Sequence, residues 1–343
     1  MNGIFSMSNE IKSVFVTGGA GYCGSLLVPK LLQLGFKVTV YDLLFFGCNH
    51  MPIGHKNLKL ISGDIRDKKL LLNAMVGHDA VLNLACISND ASFELDESVS
   101  TSINMNAFEP MVNGAKQAGI KRFIYASSSS VYGVSDAKNV TEDHPLLPLT
   151  LYNKYKGMCE PILNGFGSDN FTVTTFRPAT VCGYAPRLRL DLSVNILTNH
   201  AITNNEIKVF GGDQLRPNLD VRDYVNVCIL LLNAPHGLIH KNVFNVGYQN
   251  MKIKDIAKLV KKVVCEQFSD KNEIKIVTTP SDDLRSYHIN SDKIKNTLNF
   301  QPKYSIEDAV RSLCFAFKKG KILNSMENEI YYNIRTMKSL GIK

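Results

Sequence analysis

The sequence predicts an α/β chain, a doubly wound parallel sheet followed by a smaller C-terminal lobe. Three observations predict it. Short apolar runs alternate with helical stretches over the first half of the chain, the pattern of a parallel sheet covered by helices on both faces. The first run, Val14 to Val16, ends in Thr17 and opens onto Gly18, Gly21 and Gly24, followed by a leucine-rich helix from Ser25 to Leu34. The second run, Phe36 to Leu43, carries an acid, Asp42, near its end.

Strand, glycine loop and helix together are the setting in which spaced glycines serve a dinucleotide. They permit a tight turn and let a pyrophosphate approach the N–H groups at the helix N-terminus. On this reading Gly18, Gly21, Tyr22 and Cys23 line a cofactor. Asp42, closing the second strand, accepts hydrogen bonds from the adenosine ribose and repels a 2′-phosphate, so the pattern points to NAD over NADP. Leu58 to Gly63 is a third strand, with Asp64 placed to reach the adenine amino group and Ile65 beside it. Asp67 caps a helix from Lys68 to Met75. Ala80 to Ala85 is a fourth buried strand, and Leu84 and Ala85 let the backbone pass close to a ligand. Ser88 to Ser100 reads as a polar loop and Thr101 to Ala118 as a helix of about five turns. Arg122 to Ala126 and Phe171 to Pro178 are the fifth and sixth strands, and Pro178, which lacks an N–H, ends the last near the nicotinamide.

Thr17, Asp42, Asp64, Ala85 and Ser127 all fall at the carboxyl ends of strands, where such sheets bind ligands. The expected organisation is a tail over 1–12, a Rossmann-type NAD-binding domain over 13–180, and a substrate-binding lobe over 181–343. Some segments of that lobe return to the first domain. Ile253 to Val264 and Ile306 to Phe317 show helical periodicity with an apolar face.

The chemistry is expected after the fifth strand, in Ser127 to Gly133 and in Tyr152-Asn153-Lys154-Tyr155-Lys156. Tyr152 and Lys156 are four apart and project from one helix face. A lysine ammonium beside a tyrosine favours the phenolate. Such a tyrosine can take a proton from a sugar hydroxyl while hydride leaves the same carbon.

As a set, TGGAGYCG (Thr17 to Gly24), YASSSSVYG (Tyr125 to Gly133), YNKYK (Tyr152 to Lys156) and RPATVCGYAPR (Arg177 to Arg187) resemble the extended short-chain dehydrogenase/reductases. More narrowly, the chain looks like the NAD-dependent nucleotide-sugar epimerase/dehydratase family, from Ser13 to about Pro302. The resemblance implies Ser128 as the catalytic hydroxyl, Tyr152 as base and Lys156 as the lysine that holds the ribose. It implies Asn104 at the cofactor, Thr180 toward the sugar or phosphate, and Arg216 and Arg285 near the diphosphate of a nucleoside-diphosphate sugar. Ser88 and Ser129 are further candidate substrate contacts, and Arg187 reads equally as a substrate contact or, like Arg189, as a solvated surface residue. It also implies a homodimer through the two helices near 101–118 and 152–166. Dehydrating members carry Asp-Glu after the catalytic hydroxyl residue. Here Ser129 and Ser130 stand there, which speaks against a 4,6-dehydratase. Thr180 replaces a frequent asparagine and offers fewer hydrogen-bonding groups.

Composition narrows the remaining classes. The 343 residues carry a net charge of +8 without a basic stripe interleaved with aromatics, so no nucleic-acid partner is expected. No apolar run reaches the length of a membrane span, and the polar start reads as a tail, not a signal peptide. The eight cysteines are scattered, without Cys-x-x-Cys or zinc spacing, which favours a reducing, cytoplasmic setting and no metal. Three functions fit these residues. The first is C4 epimerisation of a nucleotide sugar through a 4-keto intermediate. The second is a dehydrogenase or reductase with net redox change. The third is an NAD-binding regulator without catalysis, which retention of Ser128, Tyr152 and Lys156 disfavours.

Overall fold

The computed structural model describes residues 11–88, 90–135, 137, 139–280, 286 and 288–341. Arg285 and nearly all of the 1–12 tail lie outside them.

Six strands form in the expected places: β1 (Ser13–Thr17), β2 (Lys37–Asp42), β3 (Leu58–Ser62), β4 (Ala80–Asn83), β5 (Arg122–Ala126) and β6 (Thr172–Pro178). Beyond them come β7 (Thr180–Cys182), β8 (Glu206–Phe210), β9 (Leu215–Asp220), β10 (Asn242–Val246), β11 (Gln249–Lys252) and β12 (Lys275–Thr279). The main sheet has seven strands in the order β10-β6-β5-β4-β1-β2-β3, all parallel. The order reverses between β1 and β4, where a crevice opens at the strand ends. Thr17 Oγ1 donates to Asn83 Oδ1 across that reversal at 2.7 Å. The C-terminal half supplies β10, which no sequence pattern had marked as part of this sheet.

The alternation of side chains along the strands explains the two helical layers. Val14, Val16, Val38, Val40, Leu82 and Ile124 face α1 (Gly24–Gln33), and later in the chain α8 (Val221–Asn233) joins that layer. Phe15, Tyr41, Val81, Phe123 and Tyr125 face the opposite way. There they meet α2 (Lys68–Met75) and, after the short α3 (Asp90–Phe93) and α4 (Glu97–Thr101), α5 (Phe108–Gln117) and α6 (Leu151–Phe166). The expected continuous helix from Thr101 is therefore broken. Ser102–Asn106 forms a wider π-type turn between α4 and α5, a distortion that often accompanies functional sites. The expected polar loop contains α3 and α4 because Asp96 caps the second, accepting from Val99 N at 2.9 Å.

The second lobe packs α7 (Ser193–Asn204), α10 (Ile253–Gln267) and α12 (Ile306–Lys318) around Val194, Ile207, Ile256, Val260 and Val310. The apolar stripes expected at 253–264 and 306–317 are this core. Short α9 (His236–Ile239) and α11 (Asp292–Leu298) flank β10, and α13 (Asn333–Ser339) ends the chain. β11, β9 and β7 make a three-stranded sheet, and β12 pairs with β8. A fourth apolar cluster, with Tyr22, Leu188, Leu190, Val221, Leu313 and Tyr332, joins the glycine loop to the lobe. The segment Asp220 to Asp223 is structural. Asp220 caps α8 through Arg222 N at 2.8 Å, and Asp223 Oδ2 accepts from Lys303 N and Tyr304 N. All eight cysteines are free. Among the described residues no helix is long and apolar enough to cross a membrane. Nor does any group of His, Cys, Asp or Glu there suit a metal ion.

Candidate active site

The carboxyl ends of β1 to β6 open into a cavity of about 630 Å³. Gly18, Gly21, Tyr22, Cys23, Asp42, Asp64, Ile65, Leu84, Ala85, Ser88, Ser128, Ser129, Tyr152, Lys156, Pro178, Thr180, Arg187 and Arg216 all contribute to its wall. Of the site residues expected from sequence and described here, Asn104 alone does not.

The glycine loop is shaped for close approach. Gly18 has φ +70°, and a side chain there would come within 2.7 Å of the Ala85 backbone. A side chain on Gly24 would meet the Gly19 carbonyl oxygen, so the first turn of α1 can press against the loop only as glycine. Tyr22 turns away from the loop. Its hydroxyl donates to Gly183 O at 2.5 Å and accepts from Asn195 Nδ2 at 3.2 Å, and burial raises its pKa well above the usual value. It ties the two lobes together. Burial likewise pushes the Cys23 thiol up to about 12, so it acts as an apolar wall residue.

Asp42 accepts from Leu44 N at 2.8 Å and Ala20 N at 3.0 Å. Burial raises its pKa, and those two N–H groups pull it back. Each oxygen keeps a lone pair for a ribose hydroxyl. Asp64 is more heavily engaged. Arg66 Nε and Nη2 grip its carboxylate at 2.9 and 2.6 Å. Burial alone would raise its pKa, but the guanidinium more than offsets this and lowers it. Asn104, expected at the cofactor, braces the loop after β4. Its Oδ1 accepts from Ile87 N and its Nδ2 donates to Ile87 O, both at 2.8 Å. The π-type turn thus aims Asn104 at the loop after β4 and fixes that loop.

At the reactive end, α6 begins at Thr150, whose hydroxyl caps it by accepting from Asn153 N at 3.3 Å. This sets Tyr152 and Lys156 on the turn that faces the end of β5. Lys156 is 5% exposed. Its Nζ donates to Ala126 O at 2.8 Å and stands 5.1 Å from the Tyr125 ring centroid. Ser128 Oγ accepts from Ser130 N at 3.2 Å and shares a hydrogen bond of 2.6 Å with Ser130 Oγ, which in turn donates to Asn153 Oδ1. Beneath lies a buried ion pair, in which Arg177 Nη2 reaches Glu160 Oε2 at 2.6 Å. Glu160 Oε1 also accepts from Ser127 Oγ at 2.6 Å, and Arg177 Nη1 donates to the Tyr132 hydroxyl at 2.6 Å. This network clamps α6 to β5 and β6 directly under Ser128.

The opposite wall comes from the second lobe. Arg189 pairs with Asp191, Nε to Oδ1 at 2.9 Å, and donates from Nη1 to Ser88 Oγ at 3.0 Å. Asn333 of α13 also donates to Ser88 Oγ at 3.0 Å. Sequence reasoning missed Phe46, Asp191, Asn333 and Met337, all of which line the cavity. For Asp191 the Arg-Leu-Arg-Leu-Asp run was an available signal. For Asn333 and Met337 no local pattern exists.

The cavity therefore offers a glycine cradle, a ribose acid and a tyrosine–lysine–serine group around one space, which fits a dinucleotide beside a second ligand. Residues 14–247 match the model of the NAD dependent epimerase/dehydratase family. The chain belongs to that family. It is an enzyme, and NAD is its cofactor. Among curated relatives, UDP-glucose 4-epimerase of Lactobacillus helveticus is 28% identical over 90% of this chain and 97% of its own. Among solved structures, UDP-glucose 4-epimerase of Thermotoga maritima with UDP-glucose has a TM-score of 0.80 at 24% identity, over 90% of this chain and 99% of its own. A dTDP-glucose 4,6-dehydratase of Streptomyces venezuelae with NAD bound has a TM-score of 0.80 at 21% identity, over 92% of this chain and all of its own. These two likenesses extend the agreement in fold beyond the NAD-binding sheet to the second lobe.

Proposed function

We propose that this family member is a nucleotide-sugar epimerase acting at C4 through a transient 4-keto sugar. The observation that carries the reading is the meeting of Ser128, Tyr152 and Lys156 on one cavity wall, with serines at positions 129 and 130. In this reading Tyr152 Oη takes the proton of the C4 hydroxyl, and Ser128 Oγ hydrogen-bonds the same oxygen. Lys156, anchored on Ala126 O, holds the cofactor ribose and places positive charge near the phenol. NAD, when bound, supplies the acceptor for the hydrogen leaving C4 and returns it to the other face. The relative from Lactobacillus helveticus, named for UDP-glucose, supports a uridine nucleotide.

A 4,6-dehydratase is disfavoured by the same wall. Ser129 is 1% exposed and Ser130 is bound to Asn153, so neither position brings a carboxyl proton donor to C6. A dehydrogenase with net redox change uses the same oxidation residues and is separated by experiment. Proton NMR with a panel of UDP-, GDP-, CDP- and dTDP-sugars, with absorbance of reduced cofactor followed in parallel, is expected to show a new epimer without net reduction. A keto sugar with accumulating NADH moves the assignment to a dehydrogenase. Tyr152→Phe is expected to keep NAD affinity and lose roughly 10²- to 10⁴-fold in turnover. Unchanged turnover removes Tyr152 as the base. We also place the contact of a homodimer on α5 and α6, where Met158 is 41% exposed. The mass of the protein in solution tests this, and a monomer overturns it.

A further inference from the structure

Among the described residues, Arg187 is a buried cation without an ion-pair partner of its own. Its side chain is 4% exposed, and Nε finds no acceptor among the described residues. Nη2 donates to Asn333 Oδ1 at 2.6 Å, a neutral partner. The guanidinium lies over Phe46, 3.7 Å from the ring centroid. Arg189, two residues on, is the contrast. Its Nε and Nη2 reach the two oxygens of Asp191 at 2.9 and 3.2 Å, so that carboxylate is already paired. Burial and then the like charge of Arg189 press the Arg187 pKa down to about 9, while Asp191 and Asp42 pull it back only in part. A guanidinium held in such a place is unfavourable until an anion joins it.

The surroundings say which anion. The Arg187 backbone N donates to Ser25 Oγ at 3.2 Å, and Ser25 is in the first turn of α1, behind the glycine loop. Phe46 stacks on the guanidinium, and Asp42, the expected ribose acid, acts on it electrostatically. Asn333, bonded to it, also reaches Ser88, which binds Arg189. The part of a dinucleotide that lies between its adenosine ribose and its nicotinamide ribose is the diphosphate. The glycine loop and the N-terminus of α1 present N–H groups to the same span.

We propose that Arg187 binds the diphosphate of the NAD cofactor and not the sugar substrate, for which the sequence made it a candidate contact. The second lobe thereby places a fixed positive charge opposite the glycine loop. Phe46 holds the guanidinium flat, Asn333 aims it, and its fork suits two phosphate oxygens at once. The inference rests on NAD as cofactor and is independent of which sugar turns over.

The test is calorimetric titration of nucleotide-stripped protein with NAD, ADP, adenosine and UDP, for the wild type, Arg187→Gln and Arg187→Lys. The Gln variant is expected to bind NAD and ADP roughly tenfold to hundredfold more weakly, with adenosine and UDP unchanged. Its NAD affinity should also depend less on salt. The Lys variant keeps the charge without the fork and is expected to fall between the two. Weaker UDP binding with NAD unchanged overturns the proposal and returns Arg187 to the sugar diphosphate. No change for either nucleotide makes it a packing residue only. If the Gln variant does not fold, the Lys variant decides by the same comparison, since weakened NAD with intact UDP supports the proposal and the reverse overturns it.

Discussion

At the ends of β1 to β5 the cavity wall is fixed by a parallel sheet backed on both faces by apolar helices. Across the cavity the wall consists of single side chains from distant segments, held by one another. Ser88 follows β4, Arg187 and Arg189 precede α7, and Asn333 lies on α13, and they meet through hydrogen bonds of 2.6 to 3.0 Å. The difference separates a scaffold, which any dinucleotide enzyme of this architecture needs, from a wall that can be exchanged residue by residue without disturbing the sheet. The sheet side carries Ser128, Tyr152 and Lys156, and the second-lobe side carries Arg187, Arg189 and Asn333.

This contrast can be broken at several points. The largest effect is expected beneath the scaffold. Glu160→Ala leaves Arg177 buried without a counter-charge and should cost about 3–5 kcal/mol of stability by chemical denaturation. A loss under about 1 kcal/mol means that the ion pair is not what clamps α6 to the sheet. Next is cofactor choice. Asp42→Ser should weaken NAD roughly tenfold to hundredfold in a binding titration and raise the relative affinity for NADP. An unchanged ratio of the two affinities removes Asp42 from the ribose.

The effect expected on the second-lobe wall is smaller and local. Asn333→Ala removes two side-chain hydrogen bonds and should cost about 1 kcal/mol. Hydrogen exchange should accelerate over 333–339 while amides of β1 to β6 stay protected. If the sheet amides loosen as well, the two walls are one cooperative unit and the contrast fails. The smallest effect concerns acid. Burial would raise the Asp79 carboxyl, but Lys121, Lys12 N and Ser13 bind it and lower it to about 2. Its folded pKa lies below the unfolded value of about 3.9. Its contribution is therefore present above pH ~4 and lost as pH falls toward ~2. Asp79→Asn should flatten that limb of the stability profile, by about 1 kcal/mol or less after solvent screening. An unaltered acid limb shows that the clamp on β1 adds nothing.

The same physical division decides what could be read from sequence. β1 to β6 were legible because each is a contiguous apolar run whose neighbours in the chain are its neighbours in space. The glycine loop, Asp42 and Tyr152-to-Lys156 spacing are likewise local patterns. β10 was missed because Asn242 to Val246 joins the sheet from more than sixty residues beyond β6. The break in the helix at Ser102–Asn106 depends on Asn104 reaching Ile87, a tertiary bond. Arg187 was legible as a candidate ligand contact, but its burial against Ser25 and Asn333 was not, because that depends on how the lobe folds back over α1. Asn333 is one polar residue on a short helix, and nothing near it in sequence marks it.

The central proposal is that hydrogen leaves C4 of a nucleotide sugar and returns to the same carbon within one enzyme. It is tested most directly with the sugar nucleotide that turns over, deuterated at C4 and followed by NMR to the product. The account predicts an epimer that retains the label at C4, with no reduced cofactor released. Label lost to solvent, or NADH accumulating in step with a keto sugar, would contradict it.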